Sequence, residues 1–389
     1  MNPSNGNSLK SDSGYIFSRN VILPFTNSQY KFHILSKADP NWEMVQHHYI
    51  DQGQNKYDVR FSFDCNKLRE ILSNIGKLDI FFLNQTEHGA AVKSVLFSLN
   101  LNRIPILSYI HYTPLWNFKN DIPILDPSLD DGKLGNIIVR RQLETCVLSE
   151  RILTHSNFSK NLILKAANFY NFEINEEKIE LIPSPLDPEL ICLIPNRKTV
   201  DLKHRVLYNS RLYDHYGFSQ ILDLFTSLKI NEDIEIHITD PSGKRTSMQD
   251  NYDPSITINR QRIKKLKGLY YHPTMEREQY LQFLRSITIG IAPFRPALWS
   301  LSVLDMIAMK IPVLAPDQGF YPEIIPKYLI YRDMEEFKTI FRHLIDSSSF
   351  YNKGSNDCFK KSKQCFPSII FQKYNKLFKE IIEKNEKYS

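Results

Sequence analysis

Residues Ser286–Ile325 carry the clearest structural pattern of the sequence and read SITIGIAPFRPALWSLSVLDMIAMKIPVLAPDQGFYPEII. It begins with a short apolar run, ITIGIAPF, which is followed by a polar loop and then by a segment with apolar residues at helical spacing. A second apolar run, IPVLAP at 311–316, ends in another loop. This order of strand, loop, helix, strand and loop is typical of parallel strands joined by helices.

The same alternation extends over both halves of the chain. Further strands are predicted where apolar or β-branched runs are bounded by turn residues, at 30–35, 78–84, 104–111, 151–156, 179–184, 205–210 and 234–239. Helices are predicted from apolar residues at helical spacing, at 65–75, 88–100, 136–150, 218–228 and 277–286. The pattern predicts an α/β protein with doubly wound parallel sheets.

The length of the chain and one proline-rich segment favour two domains. A chain of 389 residues is too long for one ordinary core. The segment 183–205 carries four prolines and is predicted to be a linker without helix. We predict a flexible tail over 1–14, an N-terminal Rossmann-like domain over 15–190 and a second over 191–365. The amphipathic segment 366–389 is predicted to be a helix, and a return of this helix to the N-terminal domain is one arrangement. Two such domains would face a cleft, where ligands bind.

Composition limits the class of protein. The formal charge of +6 is compatible with an anionic ligand, a nucleic acid or a membrane surface. The five cysteines are scattered and form no C-x-x-C pair, which argues against a disulfide framework or a zinc site. The polar first residues lack an apolar signal region, and no apolar run approaches the ~18 residues of a membrane span. We therefore expect a cytoplasmic protein.

The loop RPALWSLS at 295–302 leads into a predicted helix. Free N–H groups at a helix start, together with the helix dipole, attract anions. Asp305 follows one turn later, where an acidic side chain can reach a ribose hydroxyl. The alternative is that Ser300 or Ser302 only caps the helix and that Asp305 only favours the dipole.

A second candidate site for an anion lies in LYNSRLYDHYG at 207–217. Arg211 follows a buried strand, at the edge where open α/β sheets bind ligands. A planar guanidinium can bind a phosphate through two parallel hydrogen bonds. Such an arginine can also be structural and satisfy carbonyl groups at the strand end.

The stretch 297–323 resembles the donor-site signature of the retaining GT-B glycosyltransferases, family four (glycosyl transferases group 1). That signature reads roughly E-x-F-G-L-x-x-x-E-A-M-A-x-G-x-P-V, followed by a loop glycine and P-E. The matching positions are Trp299 and Ser300 for F-G, Leu301 for the leucine, Asp305 for the second glutamate, Pro312-Val313 for P-V, Gly319 for the loop glycine and Pro322-Glu323 for P-E. Ala297 replaces the first glutamate, which helps to place the transferred sugar in the family.

The stretch LYNSRLYDHYG resembles a second landmark of this family, G-R-L-x-x-x-K-G. Ser210, Arg211, Leu212 and Gly217 align without a gap, and Tyr216 stands in place of the lysine. In the family, the arginine and the lysine neutralise the nucleotide diphosphate. The strand at 104–111 resembles the family strand that carries a histidine at the cleft, which is His111 here. The stretches 151–163 and 177–187 resemble two further landmarks.

The resemblance covers roughly residues 78–325 and implies a GT-B fold. It implies transfer of a hexosyl or pentosyl group, with retention, from a nucleoside-diphosphate sugar to an acceptor hydroxyl. Arg211 and His111 would be catalytic. The donor would be bound by Tyr216, Trp299, Ser300, Leu301, Ser302, Asp305 and Glu323. The nucleotide sugar is a substrate, so neither a metal nor a separate cofactor is expected. The base is expected near LYYHPTM at 269–275.

Two alternatives keep this scaffold. In the first, the acceptor is a hydroxylated base in DNA, which the basic run RQRIKKLKG at 260–268 favours. In the second, the chain is a non-catalytic binding module, because Ala297 and Tyr216 depart from the signature. The basic run can also be a solvated face or contact an anionic lipid surface. The loop at 125–133 carries Asp126, Asp130 and Asp131 without a flanking strand and is predicted to be solvated rather than a metal site. The acceptor otherwise stays open among saccharides, lipid-linked sugars and proteins.

Overall fold

The computed structural model describes residues 13–26, 28–51, 53, 58–127, 134–193, 204–227, 234–240 and 255–387. The chain divides into two compact units, one of Met1–Pro185 with Pro367–Ser389 and one of Leu186–Phe366. The second unit thus begins at Leu186, where we predicted residue 191. The predicted tail falls mostly on residues outside the described ranges, but a helix already begins at Ser13, within it.

The first unit contains a parallel sheet of four strands in the order β3-β4-β7-β8. Its flanks carry a separate parallel pair, β1-β2, and an antiparallel hairpin, β5-β6. The strands are β1 (Phe32–Ser36), β2 (Val45–Tyr49), β3 (Phe81–Leu83), β4 (Ile106–Ile110), β5 (Leu115–Lys119), β6 (Ile122–Leu125), β7 (Arg151–Thr154) and β8 (Ile179–Leu181). Every residue of β4 is buried, which is typical of a parallel strand covered on both faces.

Helices join these strands. They are α1 (Ser13–Ile22), α2 (Asp58–Phe61), α3 (Cys65–Asn74), α4 (Gly89–Ser98), α5 (Leu134–Leu148) and α6 (Asn157–Tyr170). The start of α6 is fixed by a capping box, because Ser156 accepts from the backbone of Ser159 and the side chain of Ser159 accepts from the backbone of Ser156. This cap places the loop after β7 at the carboxyl edge of the sheet.

The second unit contains a six-stranded sheet in which all pairs are parallel, in the order β11-β10-β9-β12-β13-β14. Its strands are β9 (His204–Asn209), β10 (Ile234–Thr239), β11 (Leu269–His272), β12 (Ile289–Ile291), β13 (Val313–Pro316) and β14 (Ile330–Tyr331). The central strands β12 and β13 are buried throughout. The predicted class, α/β with doubly wound parallel sheets, is confirmed.

The helices of the second unit cover this sheet. They are α7 (Pro188–Cys192), α8 (Phe218–Ser227), α9 (Ser255–Lys265), α10 (Arg277–Leu284), α11 (Leu301–Ala308), α12 (Tyr321–Ile324), α13 (Met334–Asp346) and α14 (Ser348–Ser362). The prediction that 183–205 holds no helix is wrong, because α7 forms there. Its first residue is Pro188, which fits the first turn because that position has no intrahelical N–H bond, and Asp187 caps it.

The last helix, α15 (Pro367–Lys387), belongs to the first unit. Its buried stripe of Ile370, Tyr374, Leu377, Phe378 and Ile381 packs against aromatic and aliphatic side chains from α1 and from the central strands of that unit. A helix with one apolar stripe needs such a surface, because most helical stability comes from packing rather than from intrinsic propensity.

Candidate functional site

The loops that follow β9, β12 and β13 meet at the carboxyl edge of the second unit's sheet. Two glycines with left-handed backbones allow this approach. A Cβ on Gly217 (φ +73°) would lie 2.5 Å from the Cβ of Phe294, and one on Gly319 (φ +62°) would lie 2.6 Å from the backbone nitrogen of Ala297. Both positions exclude a larger residue, so glycine is required to bring the three loops together.

Hydrogen bonds of two serines tie the start of α11 to strand β9. Ser300 is the N-cap and accepts from the backbone N–H of Val303 at 3.4 Å. The Ser302 hydroxyl donates to the carbonyl of Asn209 at 3.2 Å and lies 3.1 Å from the Ser300 hydroxyl. The predicted capping is therefore present, and it holds the free amides of the first turn of α11 at the sheet edge.

Apolar packing fixes the same loop from its other side. The ring of Trp299 lies 4.8 Å from that of Phe320, and the backbone N–H of Phe320 donates to the carbonyl of Ala297 at 3.1 Å. Trp299 and Leu301 are half-buried. The four predicted donor residues Trp299, Ser300, Leu301 and Ser302 thus form one ordered turn.

Asp305 lies inside the protein rather than at the surface of the site. Its carboxylate is engaged through both oxygens by the guanidinium of Arg277, at 2.5 and 3.1 Å, and Arg277 also contacts Asp187 at 3.3 Å. Burial raises the pKa of the Asp305 carboxyl, and Asp187 raises it further, while Arg277 opposes both. The structure therefore places Asp305 in a buried ion pair, and the contact with ribose stays a prediction.

Arg211 and Tyr216 both lie on the loop after β9. Arg211 is half-buried and comes two residues after the strand ends. Tyr216 is buried, and the guanidinium carbon of Arg295 lies 3.8 Å from the centre of its ring. Sequence reasoning missed Arg295, although it follows β12 at the same sheet edge, which is the signal that could have found it.

Glu323 lies in the short helix α12, after β13. It is half-buried, and its backbone N–H donates to the carbonyl of Phe320 at 3.0 Å. The turn of Gly319 and Phe320 thus connects Glu323 to the loop that carries Trp299. The second unit brings Tyr216, the turn 299–302 and Glu323 to neighbouring strand ends, whereas Asp305 is buried in its ion pair on α11.

His111 belongs to the first unit, where it directly follows β4 and is exposed. His155 lies behind it, buried, with its Nδ1 atom 2.8 Å from the hydroxyl of Tyr109. Burial lowers the pKa of His155 well below its usual range, and the nearby His111 lowers it further. His155 is therefore a neutral structural residue at neutral pH, whereas the role of His111 toward a sugar stays a prediction.

A buried polar network in the first unit was not predicted. The guanidinium of Arg60 forms an ion pair with Glu87 and lies 4.3 Å from the ring centre of Tyr112. Gln142 donates to Glu87 at 3.2 Å and to the carbonyl of Tyr112 at 2.8 Å. Because this network holds the residue next to His111, it orders the loop after β4. No sequence motif indicated it, since its members come from four separate segments.

The remaining candidate segments have structural contacts of their own. In the basic run 260–268, Arg260 pairs with Asp240 at 2.7 Å and Arg262 pairs with Asp223. The stretch 269–275 begins with edge strand β11, where Tyr271 donates to Asp240 at 3.1 Å. Asp126 is buried, and Asp130 and Asp131 lie outside the described residues.

Two features, a cluster of metal ligands and a membrane-spanning helix, are absent among the residues that the structure describes. Among these residues, no group of three or more His, Cys, Asp or Glu side chains is arranged to hold a metal ion. None of the helices described here combines the length and the apolar character that crossing a membrane requires.

Comparison with known proteins gives matches by structure. No protein-family profile and no curated protein matches the sequence. HepE of Anabaena, solved in complex with UDP-glucose, is 12% identical with a TM-score of 0.69, covering 97% of this chain and 98% of that one. Sucrose-phosphate synthase of Thermosynechococcus elongatus is 10% identical with a TM-score of 0.71, covering 96% and 94%. The trehalose 6-phosphate synthase of Burkholderia multivorans is 10% identical with a TM-score of 0.62, covering 84% and 76%.

These similar structures are GT-B glycosyltransferases, and their sequences are far from this one. The likeness shows the fold: the chain has the GT-B architecture of two Rossmann-like units. The predicted GT-B fold is confirmed.

Proposed function

We propose that the protein is a glycosyltransferase that takes a sugar from a nucleoside-diphosphate sugar and attaches it to an acceptor hydroxyl, with retention. The observation that carries the proposal is the meeting of three strand-end loops in the second unit. They bring Arg211, the first turn of α11 and Glu323 to one edge of a parallel sheet. This edge is where doubly wound sheets bind nucleotides. The GT-B fold and the UDP-glucose complex of HepE agree with it.

The chemistry follows from the charge that develops on the leaving group. When the bond between the anomeric carbon and the diphosphate breaks, negative charge builds on the diphosphate oxygens. Positive side chains and oriented N–H groups stabilise such charge without reorganisation. Arg211 and the amides of residues 299–302 would perform this role in the second unit, and His111 would contact the sugar from the first. We propose that no metal ion is needed for this step.

We also propose the cellular compartment in which the enzyme acts. All five cysteines are free thiols, and three of them are buried. This usage fits a reducing compartment, and we propose that the protein acts in the cytoplasm. The donors that turn over in the experiment that follows distinguish a hexosyl from a pentosyl group.

The test is turnover of a panel of nucleotide sugars by the purified protein. Release of nucleoside diphosphate is measured with each donor, and the anomeric configuration of the product is determined. We expect release with at least one donor, and a loss of at least tenfold in kcat/KM for Arg211→Ala, which corresponds to about 1.4 kcal/mol. The matched control is Arg285→Ala, because Arg285 is exposed and contacts Gln282 on its own helix. No release and no nucleotide binding across the panel would contradict the proposal.

A further inference from the structure

The loop after β9 presents one cationic side chain, Arg211, where the family motif G-R-L-x-x-x-K-G that it resembles has two. Tyr216 occupies the position of the lysine, and a phenol brings no positive charge at neutral pH. A diphosphate leaving group carries more than one negative charge, so a single guanidinium neutralises it incompletely. A second cation from another segment would complete the site.

The basic run 260–268 does not provide this cation through its arginines. Arg260 is held by the buried carboxylate of Asp240 at 2.7 Å, and Arg262 is held by Asp223. Each of these ion pairs balances the guanidinium charge locally. The lysines at 264, 265 and 267 are exposed.

Arg295 lies where the missing charge is needed. Its guanidinium carbon is 3.8 Å from the ring centre of Tyr216, well within the distance of a cation–π contact. The backbone enforces this pairing, because Gly217, next to Tyr216, packs against Phe294, next to Arg295. The ring of Phe294 is in turn stacked on Tyr331, at 6.2 Å and 12°. The position of Arg295 therefore follows from the packing of the two loops.

The groups around Arg295 include buried phenols. Tyr321 is fully buried, and its hydroxyl has no hydrogen-bond partner within the ranges that the structure describes. Burial raises the pKa of Tyr321 and, as the smaller effect, the charge of Arg295 lowers it. Burial also raises the pKa of Tyr208, in β9, while Ser210 and, as a smaller effect, the charge of Arg295 lower it. The charge of Arg295 therefore lies close enough to both phenols to affect their pKa.

We propose that Arg295 is the second phosphate-binding cation of this site and that Tyr216 is the positioning residue that holds its guanidinium there. In place of the lysine of the family motif, the site thus has Arg295, which comes from the neighbouring loop and is stacked on Tyr216. This inference rests on the proposed function and specifies the residues that bind the diphosphate of its donor. An arginine can stack the face of its guanidinium on an aromatic ring and can bind a phosphate through two parallel hydrogen bonds.

The experiment measures binding of UDP, GDP, ADP, CDP and dTDP to the wild-type protein by calorimetry, and then uses the nucleotide that binds. The variants are Arg295→Ala, Tyr216→Lys, the double variant Arg295→Ala/Tyr216→Lys and the control Arg285→Ala. Arg295→Gln, which keeps length and planarity without charge, replaces Arg295→Ala if the latter does not fold. Thermal unfolding of every variant is recorded in parallel.

We expect Arg295→Ala to weaken diphosphate binding at least tenfold, and the control to bind within twofold of the wild type. The corresponding nucleoside, which lacks phosphates, should bind Arg295→Ala and the wild type alike. The double variant should recover most of the lost affinity, because a lysine at 216 restores the charge. A structural role of Arg295 would not produce this rescue.

The outcomes separate the two proposals. If the wild type binds a nucleoside diphosphate but folded Arg295→Ala binds it equally well, Arg295 is not part of the site, while the proposed function stands. If Arg295→Ala loses affinity but the double variant recovers none of it, the inference that Arg295 and Tyr216 together replace the lysine is wrong. If the wild type binds none of the five diphosphates, the proposed function itself fails.

Discussion

Replacing Arg277 by methionine should make the stability of the second unit depend on pH. Arg277 bridges Asp305 and Asp187, and all three side chains are largely buried. The substitution keeps an unbranched chain of similar volume but removes the cation that pairs with the buried carboxylate of Asp305. Removing one partner of a buried ion pair costs about 3–5 kcal/mol.

The sign of the pH effect follows from the pKa of Asp305. Burial already raises this pKa, and Arg277 is the main opposing influence. Without Arg277, the carboxyl of Asp305 has a higher pKa in the folded protein than in the unfolded chain, where Asp titrates at about 3.9. Stability is then fully present below that pH and falls as pH rises toward the folded pKa, by about 1.4 kcal/mol per pH unit. The variant should therefore be closer to wild type at pH 5 than at pH 8.

The assay is urea unfolding followed by circular dichroism at pH 5, 6.5 and 8, with Arg285→Met as the control for loss of an exposed cation. We expect Arg277→Met to lose about 3–5 kcal/mol at pH 8 and clearly less at pH 5. The control should change by less than about 0.5 kcal/mol at each pH. A loss for Arg277→Met that is equal at pH 5 and pH 8, or smaller than about 1 kcal/mol at both, would refute the reasoning.

Three further outcomes follow from individual contacts. Gly319→Ala should lower the unfolding free energy by about 1–3 kcal/mol in urea titrations, because its backbone is left-handed and a Cβ would meet Ala297; no change would contradict the close approach. Tyr374→Phe should be neutral or stabilising in the same titrations, because its hydroxyl is buried without a partner in the described ranges. Cys192 is exposed and should react with a thiol reagent at pH 8, whereas Cys146, whose pKa burial raises to about 12, should react only after unfolding.

The sheets were predictable because their central strands are apolar on both faces. The runs at 104–111 and 311–316 contain strands β4 and β13, whose residues are all buried. Strand β2, with the sequence VQHHY, was missed because its residues are exposed or half-buried and give no apolar run. Helix α7 was missed because prolines outweighed the capping aspartate, although proline is tolerated in a first turn.

The candidate site was predictable only where one segment carries it. The turn 299–302 and Arg211 were predicted from the local sequence, because a helix start and a strand end can be recognised from neighbouring residues, and their roles stay predictions. The ion pair of Asp305 with Arg277 and the stacking of Arg295 on Tyr216 join residues 28 and 79 positions apart. Such contacts depend on which strands are neighbours, and the sheet order places β9 beside β12, which brings Tyr216 and Arg295 together.

The proposed function requires that the second unit bind a nucleoside diphosphate at the ends of β9 and β12. Amide hydrogen exchange of the wild-type protein, with and without each nucleoside diphosphate at saturating concentration, tests it most directly. For the nucleotide that binds, we predict slower exchange in the segments 210–217 and 295–303, where amides and guanidinium groups would contact phosphate. Unchanged exchange in both segments with every nucleotide, or protection confined to the first unit, would contradict the claim.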